Sequence, residues 1–300
     1  MEVSKNELFV IAGAGKAGTS ALSVYLNQHP KVCISPSEVH FFDTNRYQDD
    51  REAYLNSLGF SSRKCKVIGD KTPSYLYVPF VPKRIHSLDL QIKVVISVRD
   101  PIERAFSDWW MNYCRGVEKL SFSEAMDKNI NRIEDEGPAY DTYSKKDFYE
   151  YINNWTHSLL FRTYIESGHY STLAEKYVEE LGRNNVKVVP FRGVVGQNNK
   201  SVKNVAQFLG LNGNYNINDS DPVNSSFNSR SLGLLAQYMH KIGLVRMVPR
   251  PIRKTVKKAV GPLGEKPQPP KSTIKTLSSY YNTRNKRLSD EWDIDTSDWR

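Results

Sequence analysis

The sequence contains no long hydrophobic run. Its apolar stretches, such as residues 93–98, have the length of a strand, whereas a membrane-spanning helix needs about 20 apolar residues. We therefore expect no transmembrane anchor. The opening residues M-E-V-S-K-N-E are polar and lead directly into a predicted strand, so we expect no secretory signal either. Both absences favour a cytoplasmic protein.

Cysteine is also scarce. The chain has three cysteines, Cys33, Cys65 and Cys114, which are widely spaced and form no C-x-x-C pair. An odd number of scattered cysteines without a further metal-ligand pattern predicts no metal site. We expect all three to be reduced thiols, as is usual in the cytosol.

Acidic residues are missing from residues 222–264. This segment carries eight basic residues, against a formal net charge of +9 for the whole chain: Arg230, Lys241, Arg246, Arg250, Arg253, Lys254, Lys257 and Lys258. Its prolines and its amphipathic spacing predict a basic, proline-containing insertion at about 212–271. Two interpretations stay open for 231–260: a lid or an anionic membrane contact, or a solvated basic face on a structural helix. Because aromatic residues are not interleaved with the charges, we expect no nucleic-acid partner.

The composition suffices for one large α/β domain. The 300 residues are 39% hydrophobic and 25% charged, which allows a substantial core. Predicted strands at 8–12, 31–35, 66–69, 91–98 and 186–191 alternate with predicted helices at 49–58, 82–87, 149–164, 170–181 and 201–209. This alternation predicts a single domain over 1–300, with a mostly parallel sheet, helices on both faces and ligands at its carboxyl edge. Residues 112–143 are polar and are expected to form a surface excursion.

A glycine-rich turn follows the first predicted strand, in G13-A-G-K-A-G-T-S20. Its three glycines permit a tight turn that aims backbone N–H groups and the positive end of a helix at an anion. Lys16 adds a positive charge, and the hydroxyls of Thr19 and Ser20 add neutral donors. The turn therefore predicts a phosphate or sulfate site, with these candidate binding residues: Gly15, Lys16, Ala17, Gly18, Thr19 and Ser20.

A second junction lies about eighty residues further along, in V98-R-D-P-I-E-R-A-F-S107. Asp100 is placed to cap a helix that begins at proline, and Glu103 completes a pattern like a capping box. Arg99 ends the preceding strand, and Ser107 follows Glu103 by one helical turn. A guanidinium fork and a hydroxyl at such a junction predict that Arg99 and Ser107 bind a second phosphate.

Other phosphate-binding motifs fit less well. A Walker A loop has the form G-x-x-x-x-G-K-[ST], but here Lys16 precedes Gly18 and no magnesium-binding partner is evident. The glycines do satisfy G-x-G-x-x-G, and Glu38 falls near the place of a ribose-binding acid. A dinucleotide fold leaves the second junction unexplained. A dinucleotide-binding or other non-catalytic nucleotide-binding protein therefore stays the alternative.

Four blocks of the chain resemble the PAPS-dependent sulfotransferases, and within them the heparan sulfate and related carbohydrate sulfotransferases. They are K16-A-G-T-S-A-L22 followed by H29-P30, E38-V-H-F-F-D43, G69-D-K-T-P-S-Y75 and R99-D-P-I-E-R-A-F-S-D108. The resemblance implies a P-loop-like α/β fold. It also implies binding of 3'-phosphoadenosine 5'-phosphosulfate (PAPS) and transfer of its sulfuryl group to an acceptor hydroxyl or amine.

Such a transfer needs a base for the acceptor and cations for the departing phosphate. Glu38 follows a predicted strand at the ligand-binding edge, so it is our candidate base, and Lys16 is placed to contact the leaving phosphate and the sulfuryl group. The resemblance implies that Lys71 lies near the sulfuryl group and that His40 orients Glu38 or the acceptor. Asp43 is expected to be structural. Lysines and backbone dipoles supply the positive field, so no metal is required.

The acceptor is not encoded in these motifs. The resemblance favours a hydroxyl of a carbohydrate or glycolipid, and a small-molecule alcohol stays open. It also implies that a late lysine, Lys266 or Lys271, closes over the 3'-phosphate of the nucleotide. The sequence gives no indication of oligomeric state.

Overall fold

The protein is built around a five-stranded sheet whose neighbouring strands all run parallel. The computed structural model describes residues 7–59, 65–153, 162–196, 199–213, 215–218 and 266–300. The strands lie in the order β2-β3-β1-β4-β5 and are β1 (Glu7–Gly13), β2 (Val32–Ile34), β3 (Val67–Lys71), β4 (Ile92–Val98) and β5 (Val186–Pro190). The predicted α/β class with a parallel sheet is confirmed.

Helices pack on both faces of the sheet. They are α1 (Thr19–Leu26), α2 (Arg51–Ser57), α3 (Val81–Ser87), α4 (Pro101–Cys114), α5 (Phe122–Glu136), α6 (Ala139–Thr142), α7 (Lys145–Asn153), α8 (Tyr170–Leu181), α9 (Lys200–Phe208) and α10 (Lys271–Trp292). Successive residues of a strand point to opposite faces. Leu8 and Val10 of β1 therefore join a core with α3 and α8, whereas Phe9 and Ile11 join one with α1 and α9.

The helix predicted at 149–164 differs from the observed one. It begins earlier, at Lys145, and its described part ends at Asn153. Residues 154–161 lie outside the described residues. The predicted end at 164 is wrong, because residues 163–165 form a turn. There the N–H of Ile165 donates to the side-chain oxygen of Asn129 (2.9 Å) instead of a helical carbonyl.

The surface excursion expected at 112–143 is also wrong. It contains α5, whose N-terminus is a capping box: Ser121 Oγ accepts from the N–H of Glu124 (3.3 Å), and the Glu124 carboxylate accepts from the N–H of Ser121 (2.9 Å). Phe122, Ala125 and Met126 recur at helical spacing and are buried against α4. The apolar periodicity thus gives an amphipathic helix that packs on the core through one face, despite the polar composition of the segment.

The expectation of three free thiols is wrong for two of them. Cys33 lies on β2 and Cys65 shortly before β3, and these strands are neighbours, with Cys33 opposite Ile68. This pairing brings the two Cα atoms to 5.9 Å, and the cysteines form a disulfide. Cys114 is buried and takes no part in this disulfide. The cytoplasmic location stays a prediction.

The basic segment at 222–264 lies outside the described residues, as does most of the predicted insertion at about 212–271. The single-domain boundaries, the amphipathic helix and its membrane contact therefore stay predictions. In the part of the chain that the structure describes, no helix has the length and apolarity to cross a bilayer.

Candidate active site

The turn after β1 presents the start of α1 at the carboxyl edge of the sheet. Gly18 precedes the helix with φ 83°. A Cβ there would lie 2.5 Å from a ring carbon of Phe191, so both the backbone angle and the close packing require glycine. Because glycine has no side chain to cap the helix, the first N–H groups of α1 stay available to an anion.

Lys16 lies inside this turn, also with a positive φ of 69°. Its ammonium is 3.5 Å from Sδ of Met111 on α4. Burial is the main cause that lowers the pKa of Lys16, with three neighbouring arginines adding to it and Asp108 partly opposing it. A desolvated cation surrounded by further cations attracts an anionic ligand strongly.

The remaining turn residues divide into two groups. Gly15, Gly18, Thr19 and Ser20 line the same cavity as Lys16. Ala17 is fully buried behind the turn: its N–H donates to the carbonyl of Ala14 (3.1 Å) and its carbonyl accepts from Ser97 (2.6 Å). Ala17 therefore braces the turn from inside.

The second junction has the predicted helix start but a different role for its glutamate. Asp100 Oδ1 accepts from two N–H groups of the first turn of α4 (2.8 and 3.1 Å). Glu103 does not complete a capping box, since it binds Nε and Nη2 of Arg99 (3.0 and 2.9 Å). Ser107 lies on the cavity wall, as does Arg99. The pair predicted to bind a second phosphate thus faces the same cavity as Lys16.

Glu38 is held from two sides. Nζ of Lys71 donates to its Oε1 (2.8 Å), and Nε2 of His40 is 3.5 Å from its Oε2. The other ring nitrogen of His40 binds Oδ2 of Asp43 (2.9 Å), which also accepts from Ser74 (2.5 Å). Adjacent strands β2 and β3 bring the two loops together. Asp43, expected to be structural, thus orients His40, which in turn contacts Glu38.

The charges in this cluster stabilise each other. Burial favours neutral Glu38, but hydrogen bonds from His40 and Lys71 outweigh it, so the pKa of Glu38 lies below its usual value. Burial likewise opposes protonation of His40, but its bonds to Asp43 and Glu38 prevail and raise its pKa to about 10. At neutral pH the cluster therefore contains an ionised Glu38 carboxylate beside an imidazolium.

The raised pKa of His40 predicts a pH-dependent stability. A folded pKa of about 10 adds stability that is complete below the unfolded value of about 6.5 and disappears as the pH rises through about 10. The difference in Tm between the wild type and His40→Gln should therefore narrow between about pH 7 and pH 10. Differential scanning calorimetry at several pH values measures this difference.

His169→Gln is a matched control for that experiment. Burial, with the charges of Arg284 and Arg104 adding to it, lowers the pKa of His169 to about 3. This histidine is thus neutral in both folded and unfolded protein above about pH 8, and its Tm difference should be constant there. If the Tm difference between the wild type and His40→Gln is also constant over this pH range, His40 is not protonated in the folded protein, and the proposed imidazolium is wrong.

One cavity of about 770 Å³ collects these groups. Its walls include most of the predicted site: Gly15, Lys16, Gly18, Thr19, Ser20, Glu38, His40, Arg99 and Ser107. Lys71 is not on the wall but reaches it through Glu38. The predicted anion-binding turn, the second junction and the carboxylate thus line one cavity, although their chain positions are far apart.

One face of α4 was missed by the sequence reasoning. Besides Ser107, the cavity is lined by residues of α4 and its C-cap spaced three or four apart: Arg104, Asp108, Met111, Asn112 and Arg115. That spacing is a helical stripe. The sequence contains this spacing, and it becomes a usable signal once the start of α4 at Pro101 is known.

Lys266 lies close to Arg99 and Lys16, two of the predicted phosphate-binding residues. Burial and then the charges of Arg99 and Lys16 lower its pKa to about 8. Its ammonium is 4.7 Å from the centre of the Phe106 ring. Lys271 instead opens α10 on the exposed surface. Of the two late lysines, Lys266 is the one whose pKa is affected by the charges of Arg99 and Lys16.

These features are typical of the class of α/β proteins that bind phosphorylated ligands at the carboxyl edge of a parallel sheet. Comparison with known families is more specific. The profile of the family described as "Sulfotransferase domain" matches residues 6–232. The chain therefore belongs to the sulfotransferase family, as its motifs predicted.

Curated relatives match a shorter part of the chain. Over 101 residues it is 39% identical to "Heparan sulfate glucosamine 3-O-sulfotransferase 5" of Mus musculus and of Homo sapiens, which covers 33% of this chain and 29% of each relative. Over 120 residues it is 32% identical to "Heparan sulfate glucosamine 3-O-sulfotransferase 3B1" of Mus musculus, covering 40% of this chain and 30% of the relative. The chain thus spans about three-tenths of the length of the curated relatives it matches.

A solved structure matches nearly the whole fold. The sulfotransferase from Alicyclobacillus acidocaldarius superposes with a TM-score of 0.64 at 21% sequence identity, over 98% of this chain and 99% of that one. At this identity the similarity concerns the fold. It supports the P-loop-like arrangement of the sheet and helices.

Proposed function

We propose that this protein transfers a sulfuryl group from PAPS to an acceptor hydroxyl, in a carbohydrate or a glycolipid. The observation that carries the proposal is the shared cavity, in which an anion-binding turn with Lys16 faces the same space as ionised Glu38. A site that only bound a nucleotide would not need a carboxylate held by Lys71 and His40 at the same cavity.

The residues present fit the donor. A cavity of about 770 Å³ lies in the usual range for small-molecule sites, about 300–1,000 Å³. The start of α1 and Lys16 suit the phosphosulfate, and Arg99 with Ser107 suits the 3'-phosphate. In the complex, the guanidinium of Arg99 would bind the 3'-phosphate either in place of Glu103 or together with it. Lys266 is the late lysine that we assign to the nucleotide.

The cluster also suits the reaction. Glu38 takes the proton of the acceptor hydroxyl while the oxygen of that hydroxyl forms a bond to sulfur. The bond from sulfur to the phosphate oxygen breaks, and the negative charge left on the phosphate is stabilised by Lys16 and the N–H groups of α1. Lys71 and His40 keep Glu38 ionised before the transfer. The chain's own cations supply the positive field, so the proposal needs no metal.

One observation favours a carbohydrate acceptor, and a second fits small acceptors in general. The printed names of the curated relatives concern glucosamine in heparan sulfate. The cavity also has an aromatic wall of Tyr77, Tyr151 and Tyr164, and apolar and aromatic walls with a few polar groups are typical of small-molecule sites.

Ligand-induced stabilisation tests the donor half of the proposal. At about 100 times its Kd, 3'-phosphoadenosine 5'-phosphate should raise Tm by on the order of 5 °C. Differential scanning fluorimetry should show smaller shifts with ATP, NAD or single-stranded DNA. The variant Arg99→Ala/Ser107→Ala should reduce the shift, because it removes the second phosphate site. Stabilisation by ATP or NAD alone would overturn the assignment.

Transfer itself is tested with PAPS labelled in its sulfuryl group. Oligosaccharides, glycolipids and small alcohols are offered in parallel, and labelled product is expected with one of the first two. Stabilisation by the nucleotide without transfer to any acceptor would favour the non-catalytic nucleotide-binding alternative.

A further inference from the structure

We propose that Asp70 is a positioning residue for Glu38: its buried carboxylate orients two hydroxyls, and these hold the backbone that follows Glu38. The proposal rests on the proposed function, in which Glu38 is the base. Asp70 lies on β3, directly before Lys71, and is fully buried. It is not among the residues that line the cavity, so its effect on the reaction is indirect.

Asp70 binds one hydroxyl with each carboxylate oxygen. Oδ1 accepts from Thr72 (2.8 Å) and Oδ2 accepts from Tyr75 (2.8 Å), and both partners are fully buried. An ionised carboxylate can only accept hydrogen bonds. Each hydroxyl therefore donates its single proton to Asp70, and its lone pairs remain available to accept other hydrogen bonds.

Those lone pairs face the loop that carries the base. Thr72 Oγ1 accepts from the N–H of Val39 (3.1 Å), and the Tyr75 hydroxyl accepts from the N–H of Phe41 (3.0 Å). Between these two amides His40 has φ 52°, in the left-handed region that non-glycine residues rarely adopt. Two anchors on either side of His40 hold this conformation, and Glu38 is the next residue before them.

The polarity of these contacts explains why a carboxylate stands at position 70. A carboxamide would present an N–H₂ group to one of the two hydroxyls, whose own proton would then lose its acceptor. Burial raises the pKa of Asp70 to about 6, against hydrogen bonds from Tyr75 and Thr72 that lower it. Above that pH the carboxylate keeps both hydroxyls pointing toward it.

The test is Asp70→Asn in the full-length chain. We expect kcat for sulfuryl transfer to fall by roughly 10²-fold, the scale of a small displacement of a catalytic group. The KM for PAPS and the thermal shift with 3'-phosphoadenosine 5'-phosphate should stay as in the wild type. Hydrogen exchange followed by NMR should become faster at the amides of Val39 and Phe41.

Variants that remove only one of the two hydroxyls test the proposal if Asp70→Asn does not fold. Thr72→Val and Tyr75→Phe each remove one hydroxyl and should each accelerate exchange at the amide it holds. Thr72→Ser keeps the hydroxyl, so its kcat should be close to that of the wild type and above that of Thr72→Val. The structural control is His169→Gln, because His169 is also buried and lies between two tyrosine hydroxyls, those of Tyr140 and Tyr280. It should lose stability without changing kcat or the exchange at 39 and 41.

The proposal is overturned if folded Asp70→Asn keeps the wild-type kcat. It is also overturned if amide exchange at Val39 and Phe41 is unchanged in Asp70→Asn, Thr72→Val and Tyr75→Phe. Failure of the proposed function has a different signature. In that case the wild type transfers no sulfuryl group at all, while amide exchange still reports whether Asp70 holds the loop.

Discussion

Replacing Glu38 with glutamine is expected to lower kcat for sulfuryl transfer by about 10²–10⁴-fold, the usual contribution of a general base. Glutamine has nearly the same size, and its oxygen can still accept from Lys71, but it cannot take the proton of the acceptor. The nucleotide contacts assigned to Lys16, Arg99 and Ser107 do not involve Glu38. The Kd for 3'-phosphoadenosine 5'-phosphate, measured by titration calorimetry, should therefore change by less than about twofold.

Glu175→Gln provides the matched control. Glu175 is a carboxylate on α8 that pairs with Arg287 on the surface (2.6 Å), so the same chemical change occurs away from the cavity. An ion pair of this exposed kind contributes little, and kcat should be unchanged. If Glu38→Gln keeps more than about a tenth of the wild-type kcat, another group is the base.

The local structure of the two junctions that we propose as phosphate sites could be predicted from sequence because its signals are local. Gly18 is required by its own φ and by a close neighbour, and the turn is confined to a few residues. Asp100 caps the helix whose first residue is the next one along, Pro101. A capping pattern of the same local kind, Ser121 with Glu124, was present at α5 and was overlooked because the segment is polar overall.

The contacts of the carboxylate cluster could not be predicted in the same way. Glu38 and Lys71 meet because β2 and β3 are neighbours in a register that pairs Ile34 with Gly69, and periodicity does not give strand order. The same pairing creates the disulfide of Cys33 and Cys65. Arg99 lies on the cavity wall and also binds Glu103, and the local motif alone does not decide between these two positions of its guanidinium.

Replacing Lys16 with alanine is expected to lower kcat by about 10²–10³-fold, the scale found when one stabiliser of developing charge is removed. Lys16 is partly buried and lies among arginines, so its charge is screened less by water than the charge of an exposed lysine. Binding of 3'-phosphoadenosine 5'-phosphate should weaken as well, because this product retains a phosphate at the turn. Kinetics with labelled PAPS and calorimetry measure the two effects.

Two further lysine variants separate charge from geometry. Lys286→Ala removes the same charge from an exposed position on α10, where the side chain is 77% exposed, and should leave both quantities unchanged. Lys16→Arg keeps the charge but replaces a compact ammonium with a planar fork beside Met111, so activity should be only partly restored. If Lys16→Ala raises KM and leaves kcat intact, Lys16 only binds the donor. Loss of both binding and kcat at Lys16, together with loss of kcat alone at Glu38, is the pattern that a transferase gives and a nucleotide-binding protein does not.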